Sequence, residues 1–118
     1  MFKKCIFILA TTCMMYSCTT QTETNPFLSE FQTEHGVPPF DKIKLEHYEP
    51  AFLKGIEEQN ANIDAIVNNS ETPTFENVIV ALDNSAPILD RVSAIFYNMT
   101  DAEKTPGLNE LSIKIAPT

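Results

Sequence analysis

Two imidazoles, a few paired carboxylates and one well-placed cysteine are the residues of this 118-residue chain whose types could do chemistry. His35 and His47 are the only histidines, and no His-Glu-x-x-His stretch sets two imidazoles on one helix face around zinc. His35 stands beside Gly36 in a loop and His47 precedes a helix start, so each reads as a solvated or packing histidine. Glu57-Glu58 and Asp101/Glu103 could in principle exchange protons, but on a polar helix face and in a loop they read as solvation. No serine lies in a Gly-x-Ser-x-Gly setting. Gly36, Gly55 and Gly107 are isolated, so no loop can cradle a phosphate. The residues therefore assign no catalytic, cofactor-binding or metal-binding position, and Cys18 alone keeps a chemical role.

That role follows from what precedes it. Met1-Phe2-Lys3-Lys4 is cationic, Cys5 to Tyr16 is mostly apolar, and Ser17 is a small residue directly before Cys18. This is the layout of a secretory signal peptide, and it is shorter than the ~20 apolar residues of a membrane-spanning helix. Met15-Tyr16-Ser17-Cys18 also resembles the lipobox of bacterial lipoproteins, with Met15 where Leu is usual and Tyr16 bulkier than most. The resemblance implies that residues 1–17 leave as a signal peptide and that Cys18 becomes the lipidated first residue. Several acyl chains, at about 0.8 kcal/mol per buried methylene, then give a lasting anchor. The protein is expected in the cell envelope, at the outer membrane or the periplasmic face of a membrane. The other reading is a plain signal peptide cut near Ser17.

Loss of Lys3 and Lys4 leaves six basic residues against 16 acidic ones, a net charge of −10. Such a surface repels phosphate backbones and anionic lipids, so nucleic acid is excluded as a partner and membrane contact falls to the lipid at Cys18. Cys5 and Cys13 leave with the leader, so no disulfide or thiolate metal site is expected.

Residues 18–25 are polar and read as a tether, and 26–118 as a partial helical domain. Asn25 to Asp41 mixes Phe27, Phe31 and Phe40 with Gly36 and Pro38-Pro39. This suits an irregular segment that packs aromatics against something larger, with extended geometry before the prolines. From Glu46, Tyr48, Phe52, Ile56, Ile63, Ile66 and Val67 recur at helical spacing. Pro50 is expected in the first turn, and Asn68-Asn69-Ser70 is expected to end the helix through a left-handed residue. Thr74 is the natural cap of the next helix, with Glu76 in its first turn. Phe75, Val78, Ile79, Leu82, Leu89, Val92, Phe96 and Met99 form its stripe, and Pro87 demands a kink or two abutting helices between Asp83 and Pro87. Asp101 to Gly107 reads as a loop, and Leu108, Leu111 and Ile115 begin a third stripe. The fold class is all-α: a helical hairpin plus the start of a third helix, part of something larger. The faces of Phe75, Leu82, Leu89 and Phe96 are expected to lack partners within the chain.

Three stretches carry a resemblance: Asn25-Pro26-Phe27-Leu28-Ser29-Glu30-Phe31, the run Pro38 to Asn69, and the run Pro73 to Met99. The telling pieces are Phe40-Asp41-Lys42-Ile43, His47-Tyr48 with Pro50-Ala51-Phe52, and Thr74-Phe75-Glu76-Asn77. In this order and spacing they resemble the amino-terminal region of the thimet oligopeptidase family of zinc metallopeptidases, in its peptidyl-dipeptidase and oligopeptidase A branch. The resemblance implies a larger, mostly helical metallopeptidase in which these helices wall a substrate channel and short peptides are the substrates. It also implies a zinc cofactor in the full-length protein, held by downstream residues and not by this fragment, which is expected to be inactive alone. Oligomeric state is left open. The competing reading is a complete small helical lipoprotein that acts as a non-catalytic binding or scaffold module.

Overall fold

The computed structural model describes residues 24–116. The segment read as a signal peptide, Cys18 and the stretch read as a tether, up to residue 23, lie outside the described residues. Two short 3-10 turns, Pro26–Leu28 and Glu34–Gly36, lead into helix α1, Leu45–Val67. A π-helical stretch, Phe75–Val80, runs directly into one α turn, Ala81–Asp83, and the two together are α2. Helices α3, Pro87–Ala102, and α4, Pro106–Ile115, follow. The described residues contain no strand, and the chain is an all-α helical hairpin with a further helix against it.

α1 and α3 run antiparallel, since Tyr48 faces Phe96 while Gly55 abuts Leu89. The amino-terminal half of α1 buries His47, Tyr48, Ala51, Phe52 and Gly55. α3 answers with Ile88, Val92, Ile95 and Phe96, and α4 closes the end with Leu108 and Leu111. At the centre four rings meet edge to face or tilted. Phe27–Tyr48, Tyr48–Phe96 and Phe52–Phe96 have centroids 5.1, 5.2 and 5.3 Å apart. Such pairs add about 0.5–1.5 kcal/mol each beyond the area they bury. Phe27 and Phe96 are wholly buried and Phe31 is half-buried, so the irregular amino-terminal segment packs Phe27 and Phe31 inward, whereas Phe40 is exposed by 54%. Val37, at φ −63° and ψ 134°, has the extended geometry that Pro38 imposes.

Helix boundaries follow local chemistry. Thr74 Oγ1 accepts from the Asn77 N–H at 3.1 Å while Asn77 Oδ1 accepts from the Thr74 N–H at 2.8 Å, a reciprocal cap. Pro87 is the first residue of α3, so the break at Asn84 to Ala86 gives two abutting helices rather than a kink.

Four expectations are corrected. Pro50 is the sixth residue of α1, beyond the first turn, so the helix accepts the loss of one interior hydrogen bond. Asn68 ends α1 at φ −91° and ψ 6°, not left-handed; its side chain donates back to the Asp64 carbonyl at 2.7 Å and so serves the last turn directly. α4 begins at Pro106, capped by Thr105, which places Gly107 inside a helix rather than in a loop. Leu89 and Phe96 do have partners, Leu89 half-buried against α1 and Phe96 in the aromatic centre. Phe75 and Leu82, as expected, stay exposed, by 66% and 50%, because the break after Asp83 turns α2 off the line of α3 and only α3 continues the core stripe.

Candidate functional site

The motif residues of the amino-terminal segment and of the start of α1 converge on one place, their junction with α3, while Thr74 to Asn77 lie apart in α2. Asn25 Oδ1 accepts from the Phe27 N–H at 3.1 Å, and its Nδ2 donates to the His47 carbonyl at 2.7 Å. His47, buried, accepts from the Lys44 N–H on Nδ1 at 3.1 Å and so caps its own helix. Arg91 on α3 donates from Nη1 to the Phe27 carbonyl at 2.8 Å and sets its guanidinium 5.7 Å from the Phe31 ring centre, within cation–π reach. Phe27 is thereby held from both sides before its ring enters the core. Burial pushes the Tyr48 phenol above its ordinary pKa of 10.0. These groups are locked in the fold.

The carboxylates separate. Glu57 pairs with Lys54 at 2.8 Å on the exposed face, and that hydrogen bond together with its charge raises the Lys54 pKa. Glu58 instead turns inward, and its Oε2 accepts from the Ile88 N–H at 3.4 Å. It caps α3 from α1, where the cap residue Ala86 has no side chain to offer. Asp101 and Glu103 stay exposed beyond the packed face of α3. Lys114 reaches Glu49 at 2.7 Å and ties α4 to α1.

A hydrolytic zinc site takes three protein ligands and a water. Among the described residues no three His, Cys, Asp or Glu side chains gather to hold a metal. His47 Nδ1 is already committed to Lys44, and the His35 side chain is 84% exposed in a loop where its backbone is left-handed (φ 59°). The residues present do not fit zinc, and no chemical step is derived through it. Cys18 lies outside the described residues. Sequence reasoning missed the Arg91 latch, the Glu58 cap and the Asn62 bridge, in which Nδ2 donates to the Ser85 carbonyl at 2.8 Å. Arg91 could have been suspected as the only arginine of the chain, sitting beside the apolar positions of its stripe.

No known protein-family profile matches the chain. Individual relatives do. Dipeptidyl carboxypeptidase of Salmonella typhimurium is 40% identical over 88 residues, 75% of this chain and 13% of that protein. Dipeptidyl carboxypeptidase of Escherichia coli is 40% identical over 90 residues, 76% of this chain and 13% of that protein. Oligopeptidase A of Escherichia coli is 30% identical over 87 residues, 74% and 12%.

The chain belongs to the thimet oligopeptidase family. Its match falls in the amino-terminal part of those relatives, and it spans about 13% of the length of the dipeptidyl carboxypeptidases. Within this family segment the motif residues have structural duties. Asn25 and His47 latch the entry to α1, Tyr48 and Phe52 form the core, and Thr74 and Asn77 cap α2.

Proposed function

We propose that this chain forms the amino-terminal helical part of a zinc-dependent peptidase of short peptides, either releasing dipeptides or cutting internally. In this reading it contributes part of the substrate-channel wall and is inactive by itself. The observation that carries it is the 40% identity to dipeptidyl carboxypeptidases across three quarters of the chain. The channel-wall role is supported by uneven packing: α1, α3 and α4 close around an aromatic centre while α2 leaves Phe75, Ile79, Val80 and Leu82 in water. An apolar row of that kind commonly marks an interaction surface. Inactivity alone is supported by the donor set, because among the described residues no three His, Cys, Asp or Glu side chains gather to hold a metal. Zinc would be held by residues outside these 118.

The same reading places the protein in the cell envelope, lipid-anchored through Cys18 at the outer membrane or the periplasmic face of a membrane. Lys3-Lys4, the apolar run and Ser17-Cys18 support it.

Reading the gene beyond Thr118 is the first test, and the expected frame reaches a His-Glu-x-x-His. The longer product should cleave short peptides in a chelator-sensitive way, and the 118-residue chain should not. Turnover by the short chain, or a stop codon directly after Thr118, would overturn the reading; the stop codon would favour a small non-catalytic lipoprotein. Palmitate labelling in a lipoprotein-competent bacterium tests the anchor, since Cys18→Ser should abolish the label and a label that persists refutes it.

A further inference from the structure

The chain holds nine asparagines, and asparagine is the residue whose side chain can react with its own backbone. The nitrogen of the following residue attacks the side-chain carbonyl carbon, so the reaction needs a following N–H that nothing else holds. Most of the nine lack one. Asn25 precedes Pro26, which has no N–H. Asn60 and Asn62 lie in α1, Asn98 in α3 and Asn109 in α4, where the next N–H belongs to the helical ladder. The N–H after Asn68 donates to the Ile66 carbonyl at 3.3 Å, and the N–H after Asn77 to the Thr74 carbonyl at 3.2 Å. The N–H after Asn84 donates to the Leu82 carbonyl at 3.1 Å, and it belongs to Ser85, which is buried.

Asn69 differs from all of these. Asn69 and Ser70 are exposed in the turn between α1 and α2, and the Ser70 N–H makes no hydrogen bond among the described residues. Asn69 Oδ1 accepts from the Glu71 N–H at 3.0 Å. This Asx turn closes a ring that contains both the Asn69 side-chain carbon and the Ser70 nitrogen. It also aims a donor at the oxygen on which negative charge develops during attack. Electrophile, nucleophile and oxyanion donor therefore come from three consecutive residues, and the small Ser70 side chain leaves its nitrogen uncrowded.

We infer that Asn69 is a self-modification site, at which the Ser70 nitrogen closes a cyclic imide on the Asn69 side chain and water then opens it to aspartate or isoaspartate. In the first step the Ser70 nitrogen gives its proton to a solvent base and bonds to the Asn69 Cγ. The bond from Cγ to Nδ2 breaks, and ammonia leaves. In the second step water adds to one imide carbonyl. Opening at the side-chain carbonyl gives aspartate, and opening at the main-chain carbonyl gives isoaspartate, with one more methylene in the backbone. The sum consumes water, releases ammonia and needs no oxidant or cofactor. Either product sets a new carboxylate beside Glu71 at the negative end of the α1 dipole, and isoaspartate also lengthens the connection between α1 and α2. The inference rests on this turn alone and does not require the peptidase reading.

The test is to incubate the 118-residue chain at mildly alkaline pH in heavy-oxygen water and to locate modified residues by fragmentation in the mass spectrometer. Asn69 should exchange its amide nitrogen for one heavy oxygen, with isoaspartate among the products. Asn84 and Asn98 should convert about 10-fold more slowly or less, because each must first release a hydrogen-bonded N–H. Ser70→Pro removes the nucleophilic N–H and should abolish conversion of Asn69. Should Ser70→Pro lose helical dichroism, Ser70→Val serves in its place, since a β-branched neighbour crowds the nitrogen and should slow conversion about 10-fold. Conversion of Asn84 or Asn98 as fast as Asn69, products without isoaspartate, or an undiminished rate in the Ser70 variant would each overturn the inference. None of these outcomes bears on peptide hydrolysis, so the peptidase reading stands or falls separately.

Discussion

Two glycines in this chain should respond oppositely to the same substitution. Gly55 lies inside α1, and a Cβ built there would meet the backbone of Leu89 in α3, at 2.8 Å from its nitrogen and 2.9 Å from its Cα. Alanine favours a helix interior over glycine by about 1 kcal/mol, so a purely local argument makes Gly55→Ala stabilising. The clash is with main chain, however, and no rotamer change relieves it. The helices must separate next to the Phe52–Phe96 contact, and overpacking against main chain lies at about 2–3 kcal/mol, the upper part of the range for added core volume. The net expectation is a loss of about 1–2 kcal/mol, or a fall of roughly 4–16 °C in Tm for a domain of this size. Gly107, near the start of α4, would place its Cβ 2.6 Å from Leu45 Cδ2, the tip of a side chain that is 45% exposed and can swing away. Gly107→Ala should therefore be neutral or stabilising by up to about 1 kcal/mol. Urea titrations followed by far-ultraviolet dichroism measure both, read from the midpoint at unchanged slope. A companion Leu89→Ala should not rescue Gly55→Ala, because it removes none of the backbone atoms in the way. Gly55→Ala as stable as the parent, or rescue by Leu89→Ala, would refute the close backbone approach.

Three further outcomes are expected. Burial raises the Tyr48 pKa, so its contribution is fully present below pH ~10 and is lost as pH rises through the higher folded value. Urea midpoints should therefore fall at strongly alkaline pH, and less steeply in Tyr48→Phe. Glu58→Ala should cost about 1 kcal/mol by uncapping α3, whereas Glu57→Ala, on the exposed face, should stay within about 0.5 kcal/mol; equal effects in the same titration would refute the inward carboxylate. His35→Val should cost about 1–2 kcal/mol, since a β-branched residue at φ 59° is strained while glycine is not, and the comparison with His35→Gly in thermal melts checks it.

Much of this architecture could be read from the residues because local and tertiary demands coincide there. Thr74 caps α2 through its own side chain, and Pro87 starts α3 because only a first-turn position tolerates it. Tyr48, Phe52, Val92 and Phe96 sit at helical spacing on the faces that meet. The readings that failed were those where a particular side-chain contact, local or tertiary and invisible in spacing, outweighed the general rule. Pro50 sits deeper in α1 because His47 caps the helix three residues past Lys44, which fixes the helix start ahead of the proline. Leu89 and Phe96 share the period of Phe75 and Leu82, yet the break at Asn84 to Ala86 separates the two pairs and only Leu89 and Phe96 gain partners. Glu58 looked like its neighbour Glu57 because sequence cannot show that α3 begins opposite it.

These contacts divide the hairpin into two ends of different character. At one end Asn25, His47 and Arg91 fix the amino-terminal segment, five rings pack in succession, and Lys114 ties α4 to α1. At the other, half-buried Ile66 of α1 and asparagine side chains border α2, with little wholly buried apolar surface. Opening free energy follows buried apolar contact, so the aromatic end should open only with the whole fold and the asparagine end well before it. The π-helical winding of α2 falls in that less protected end, as does its exposed apolar row. Surfaces that meet partners are drawn from the less stable parts of a fold because they must adjust on contact. Amide exchange should therefore be slowest around Tyr48 and Phe96 and faster in the last turns of α1 and in α2.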